Sequence, residues 1–280
     1  MIRLLAPYPA ALVRSQGSRT VVVADLHIGW EVALSQEGIH VPSQTHKLLK
    51  KLVDVVSKYK ADRLLILGDV KHTVASAETL EWRDIPDFFT ALGRRVNETL
   101  VVRGNHDGNI EPLLPESVKV LPSTGIALGP VGFFHGHRWP SPALLSCKTL
   151  VMGHVHPVVV FRDSAGFRVT RQVWVKADCD AELLGRVVRR KCRVKNMKDD
   201  EVKNLQGQLE TGVKKCNLFI MPSFNDFLGG RPLNEGREGF GSGRTVGPVL
   251  RSEAVDLKNA EMYLLDGTFL GTLEQLKTLG

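Results

Sequence analysis

RLLILGDV, residues 63–70, runs four large apolar residues together, Leu64 to Leu67, and then stops on Gly68 and Asp69. An apolar run this short, closed by a turn residue, reads as a strand buried on both faces. The same pattern stands on either side of it. TVVVADLH (20–27) is a β-branched run ending in polar residues, and ETLVVRGNHD (98–107) is another. Between these lie KLLKKLVDVVSKY (47–59), with Leu48, Leu49, Leu52, Val53 and Val56 at helical spacing, and IPDFFTALGRR (85–95). Strand–helix–strand–helix–strand spacing predicts an α/β core with neighbouring parallel strands.

After residue 115 the texture changes. VKVLPSTGIALGPVGFFHGH, TLVMGHVHPVVVFRD and FRVTRQVWV predict strands parted by turns, with no helix comparable to the first two. A second, more antiparallel sheet packed on the first is expected. Segment 222–247, PSFNDFLGGRPLNEGREGFGSGRTVG, has seven glycines and predicts a long irregular loop. AEMYLLDGTF then reads as a strand and LEQLKTL as a helical turn. With no linker before residue 180 and no internal repeat, one domain over 1–280 is expected.

The chain of 280 residues carries a net charge of +7, which mildly favours polyanionic partners. Between Arg186 and Lys198 seven of thirteen residues are basic, and DDE follows at once. Such a cluster could meet phosphates in a salt-dependent way, or be a solvated strand edge or loop. No apolar run is long enough to span a membrane, and MIRLLAPYPA lacks the apolar stretch of a secretory signal. The four cysteines, Cys147, Cys179, Cys192 and Cys216, show no CxxC spacing, so a reduced cytoplasmic compartment is expected.

Each early strand ends in side chains able to hold a metal. These are Asp25 and His27, then Asp69, then Asn105, His106 and Asp107; later come His135 and His137, and His154 and His156. Carboxyl ends of strands in an α/β sheet converge on one crevice, and alternate residues of an extended strand point the same way. Asp25 and His27 could so share one ion. Of nine histidines, seven (those six plus His72) lie in or beside these blocks. Carboxylate, imidazole and amide donors suit Mn²⁺, Fe²⁺ or Zn²⁺. Two such ions can clamp a phosphoryl group, with Asp69 as the natural bridge.

The blocks ADLH, GDVKH, GNHD and GHVH, with HGH between the last two, resemble the calcineurin-like metallophosphoesterases. The resemblance implies a four-layered α/β/β/α sandwich with two central mixed sheets and a dinuclear metal site. It implies Asp25, His27 and His156 on one metal, Asn105, His135 and His154 on the other, and Asp69 bridging. His106 resembles the histidine that meets the scissile phosphate, and Asp107 could position the loop or an imidazole. ADLHIGWE, GDVKH and MPSFNDFLGGRPLN further resemble small archaeal and bacterial members related to the double-strand-break repair nuclease and the ligase-associated DNA-damage-response phosphoesterases. That implies a phosphodiesterase or nuclease acting on DNA, with a DNA-repair ATPase, helicase or ligase as a possible partner. A nucleotide or small-molecule phosphodiesterase or phosphatase, and a non-catalytic scaffold with the same fold, are the alternatives. Lys71, His72, His137 and Arg231 are further candidates for substrate contact, the last bidentate to phosphate from the glycine-rich loop, which also carries Asn225 and Asn234.

Overall fold

The computed structural model describes residues 2–74, 77–192, 215–235 and 246–278. Two mixed sheets lie face to face. The first has β1 (Ile2–Leu4), β2 (Ala11–Ser15), β3 (Ser18–Val23), β4 (Arg63–Leu67), β5 (Glu98–Val102) and β6 (Val118–Leu121) side by side in chain order. β3 to β6 are parallel, as the spacing predicts, and β1 and β2 add an antiparallel edge. Helices α1 (Glu31–Gln36), α2 (Thr45–Lys58) and α3 (Thr79–Gly93) occupy the crossovers.

The continuous apolar runs are explained by what each face meets. Val21, Val23, Leu64 and Ile66 pack outward with Leu48 and Leu52 of α2 and Phe88 and Phe89 of α3. Val22, Leu65 and Leu67 point inward, against Phe133, Val151, Trp174 and Met221 of the second sheet. A strand sandwiched in this way has no solvent face on which to alternate polar residues.

The second sheet follows the order β13 (Arg231–Pro232), β10 (Pro157–Arg162), β11 (Arg168–Asp180), β12 (Lys215–Ile220), β9 (Thr149–Met152), β8 (Val131–Phe134), β7 (Ile126–Leu128). β14 (Glu261–Leu264) pairs with β11, and β15 (Phe269–Thr272) with β14. It is less antiparallel than expected, because β8, β9 and β12 run parallel at its centre. Their carboxyl ends and those of β3, β4 and β5 lead into the same crevice, since Met221 and Phe224, just past β12, bond to Met152 and Ala24.

Two expectations need correction. The described part of the basic stretch is neither strand edge nor loop: residues 186–192 belong to a fourth helix, α4 (Ala181–Cys192), and 193–198 lie outside the described residues. Ala181, Leu184 and Val188 form its buried stripe against the outer face of the second sheet, while Arg186, Arg190 and Lys191 are exposed. The cations obscure an apolar stripe that is only three residues deep. This helix completes the helix–sheet–sheet–helix layering. The glycine-rich segment is also less irregular than expected. Residues 222–235 are described; Ser223, Phe224, Asn225 and Asn234 are buried, and Arg231 and Pro232 form β13 beside β10. Residues 236–245 lie outside the described set.

Leu184 has no exposed surface. Leu184→Ala is expected to cost about 2–5 kcal/mol in a denaturant titration, and Arg186→Ala within about 0.5 kcal/mol. Equal midpoints for the two variants would remove α4 from the core.

Candidate metal centre

The strands stop before the polar blocks begin: β3 at Val23, β4 at Leu67, β5 at Val102 and β9 at Met152. Asp25, His27, Asp69, His154 and His156 all have positive φ, between 44° and 73°. The pleat expected to align Asp25 with His27 is therefore absent, and left-handed kinks turn these side chains instead. Such a backbone costs on the order of 1 kcal/mol or more per non-glycine residue, so it persists only where surroundings enforce it. Here the loops hold one another. Asp25 N–H donates to the Gly68 carbonyl (3.1 Å), His27 N–H to that of Asp69 (2.8 Å) and Ile28 N–H to that of Val70 (2.8 Å). Glycine is required where they cross: a Cβ on Gly68 would strike the His135 ring, and one on Gly104 the Asp69 carboxylate.

The sequence-predicted metal residues come together. Ligand atoms of Asp25, His27 and His156 lie within 4.8 Å of one another, and so do those of Asp69, His135 and His154. A third group, His27, Asp69 and His106, joins the two. Asp69 is central: Oδ1 accepts the His106 N–H at 2.9 Å, while Oδ2 lies 3.3 Å from His135 Nε2, 3.6 Å from His27 Nε2 and 4.0 Å from His106 Nε2. Asn105 is exposed, with Oδ1 3.1 Å from His135 Nε2. His135 Nδ1 donates to the Leu67 carbonyl (2.7 Å), which leaves Nε2 as the donor atom facing Asp69.

The donors fit divalent cations. Both ring nitrogens of His27 and Nε2 of His156 are buried without a hydrogen-bond partner among the described residues, which a metal would supply. Burial by itself would raise the acids, yet His156 and His135 hold Asp25 below the usual carboxylate range. His135, His27 and His106 hold Asp69 well below it. Among the bases, burial opposes charge on His135, but Asp69 and Asp25 outweigh it and push the imidazole up to about 10. Asp25 likewise raises His156 against burial. His27 falls to about 3 and His154 to about 4, in each case mainly through burial, with His135 adding to the fall of His154. Without metal, then, the charges of Asp25 and Asp69 favour the protonated forms of His135 and His156.

The supporting residues are more varied than expected. Asp107 uses both oxygens on backbone amides: Oδ1 accepts from Val70 (2.8 Å) and Lys71 (3.4 Å), and Oδ2 from Gly104 (2.8 Å). It positions loops, and no imidazole is bonded to it among the described residues. Burial and the charge of Asp69 raise its carboxyl to about 6. Lys71, a candidate for contact with a phosphate or with solvent, is fully buried and donates to the carbonyls of Thr73 and Val74, because a buried ammonium needs acceptors. His72 stands in the histidine cluster, its ring 5.3 Å from that of His27, and its carbonyl is bonded to His106 Nδ1. His137 lies 5.2 Å from the His135 ring. Burial, then the charges of His135 and His154, lower it to about 3. Arg231 donates its backbone N–H to the His156 carbonyl (2.8 Å). Asn234 is bonded on both sides to the backbone of Val160 and serves the sheet.

Glu81 escaped sequence reading. It is fully buried on α3 and accepts from the amides of His72 (2.9 Å), Thr73 (2.8 Å) and Glu78 (3.0 Å). The signal available was Glu78 and Glu81 at capping-box spacing, which would also have started the helix at residue 79 rather than 85.

The sequence profile of the calcineurin-like phosphoesterases matches residues 18–184. The match covers more than half of the chain and contains all seven candidate ligands and His106, and the chain belongs to this family. It is accordingly a metal-dependent phosphoester hydrolase. Among solved structures, the Pseudomonas putida nuclease MPE aligns with a TM-score of 0.51 at 16% identity, over 92% of this chain and 97% of its own, which supports a shared fold. Yfce, a phosphoesterase from E. coli, aligns with a TM-score of 0.34 at 20% identity, over 52% of this chain and 74% of its own. A search of curated proteins finds no match.

The raised His135 holds a proton that a cation must displace, and His156 is shifted the same way, so metal affinity should rise with pH, up to about 10 for His135. Titrating Mn²⁺ calorimetrically near pH 7.5 in two buffers of different ionisation enthalpy should reveal release of at least one proton per chain. Identical heats in both buffers would contradict this charge state. Asp107→Asn replaces an acceptor by a donor facing amides, and is expected to lose about 1–3 kcal/mol in thermal unfolding of the metal-free protein.

Proposed function

We propose that the protein is a two-metal phosphodiesterase acting on DNA, with Mn²⁺ as its working ion and the reduced cytoplasm as its compartment. The observation that carries the reading is the pair of ligand clusters meeting at Asp69, with His106 beside them at the open side of the site. Asp25, His27 and His156 would hold one ion, Asn105, His135 and His154 the other, and Asp69 both. Bound there, the ions would supply Lewis acidity to the phosphoryl oxygens and to the attacking water. The chain's own residues do the rest. His106 Nδ1 donates to the His72 carbonyl, and Glu81 anchors the amides of His72 and Thr73, so Nε2 is presented in a fixed direction. From that nitrogen a proton can reach the leaving oxygen.

Openness supports a polymeric substrate. Asn105 is exposed, and the His106 and His156 side chains retain 22% and 20% exposure. Residues 168–174 of β11 continue past Ile220, the last residue of β12, so the β10–β11 hairpin overhangs the carboxyl end of the sheet with Arg171 upon it, and with Arg162 and Arg168 sharing Glu235. The net charge of +7 agrees. A DNA-repair ATPase, helicase or ligase is the partner class that suits this reading.

Metal-stripped protein restored with Mn²⁺ should cleave labelled DNA with a rate that falls as salt rises. His106→Ala should lower kcat by about 10²–10⁴-fold while two metal ions still bind. Asp69→Ala should lose metal as well as activity. Turnover of a bis-aryl phosphodiester alone would indicate a nucleotide phosphodiesterase. No turnover with Mn²⁺, Zn²⁺, Ni²⁺ or Fe²⁺ would favour a scaffold.

A further inference from the structure

We propose that Trp30 and Phe227 form a stacking platform for a nucleobase of the substrate strand, next to the metal centre. The inference rests on the DNA reading and adds a base-binding subsite to it. The two rings come from opposite halves of the chain and lie nearly parallel, with centroids 5.3 Å apart and planes at 14°. Phe227 is 47% exposed, and Trp30 is partly exposed.

A lone exposed phenylalanine needs no explanation, but this one is held by a built support. Three successive carbonyls accept bonds from the loop that carries it: Ala24 from Phe224 N–H (2.8 Å), Asp25 from Ser223 Oγ (2.8 Å) and Leu26 from Asn225 Nδ2 (2.9 Å). Asn225 Oδ1 in turn accepts the Phe227 N–H at 3.0 Å. Trp30 N–H donates to the His27 carbonyl at 3.2 Å, closing a turn that keeps the two Cα atoms within about 7 Å. Both rings are thus fixed to the few residues that contain Asp25 and His27. An aromatic surface placed this way is preorganised relative to the reacting phosphate.

The charge beside it suits a nucleic-acid strand. Lys47 is exposed on the first turn of α2, its Nζ 5.9 Å from the Phe227 ring centroid. Lys51, one turn on, donates to the Phe224 carbonyl (3.0 Å) and to Asp226 (2.7 Å) and steadies the loop. A base resting on aromatic rings with a lysine near its phosphate is the usual combination for single strands, and it tolerates any sequence because every base has a π-face.

Binding can be tested apart from turnover. Metal-stripped full-length protein carrying Trp82→Phe, which removes the 52% exposed tryptophan of α3, would be titrated with a thymidine oligonucleotide and with an abasic oligonucleotide of equal length. Saturable quenching of tryptophan fluorescence is expected with the first, at about tenfold or higher affinity than with the second. Phe227→Leu should weaken thymidine binding about tenfold and abasic binding much less, and Phe227→Tyr should restore the difference. Equal affinity for both oligonucleotides, or equal losses on both in Phe227→Leu, would overturn the platform. DNA cleavage by Phe227→Leu with kcat/KM within twofold of the parent would do the same while leaving the nuclease reading intact. Base-dependent quenching in a protein that cleaves no DNA would sustain the platform and sink the nuclease.

Discussion

Two carboxylates that cannot be left uncompensated organise this molecule. Asp25 and Asp69 are 0% and 2% exposed, at the place where the ends of both sheets meet. Isolated charges so far from water are very costly, and the structure answers with imidazoles from four different loops. Asp25 faces His135 and His156, and Asp69 faces His27, His106 and His135. Those contacts link the first sheet to the second. The face-to-face packing that buries Val22, Leu65 and Phe133 also brings the ligands of one sheet onto the acids of the other.

Compensation of this kind depends on short reach, and short reach explains the backbone. An imidazole on a regular strand end would be directed above or below its own sheet. The left-handed residues at 25, 27, 69, 154 and 156 break that alternation and fold the side chains inward. Gly68 and Gly104 let the GD and GN loops cross at a separation that leaves no room for a methyl group. The strain is local, whereas its support is distributed through amide–carbonyl bonds between loops.

Much of this was legible. Apolar runs ending in polar residues marked β3, β4 and β5 and their parallel order, because strands buried on both faces have a simple pattern. The Asp and His residues that cluster at the centre could be picked out because chemistry restricts metal ligands to few residue types. What stayed hidden shares a cause: the signal lay in contacts between distant residues. Glu81 looks like an ordinary capping glutamate until its carboxylate is seen holding the amides of His72 and Thr73. Lys71 looks like a phosphate contact because sequence does not show which way a lysine turns. The strands were expected to extend through the ligands because positive φ at Asp or His leaves no mark in the sequence. α4 was missed because four cations in its last two turns outweigh a narrow apolar stripe.

Asp69 and Asp107 show how one loop region gives the same side chain two uses. Asp107 is as buried as Asp69, but amides of Val70, Lys71 and Gly104 occupy its oxygens. Those amides belong to both crossing loops, so the carboxylate ties the segment bearing Asp69 to the segment bearing Asn105 and His106. Asp69 accepts one amide and keeps its other oxygen for the imidazole cluster. A carboxylate satisfied by fixed backbone dipoles has little left to offer a cation, and one facing only imidazoles has much. The two aspartates are divided between loop architecture and the imidazole cluster by which neighbours reach them first.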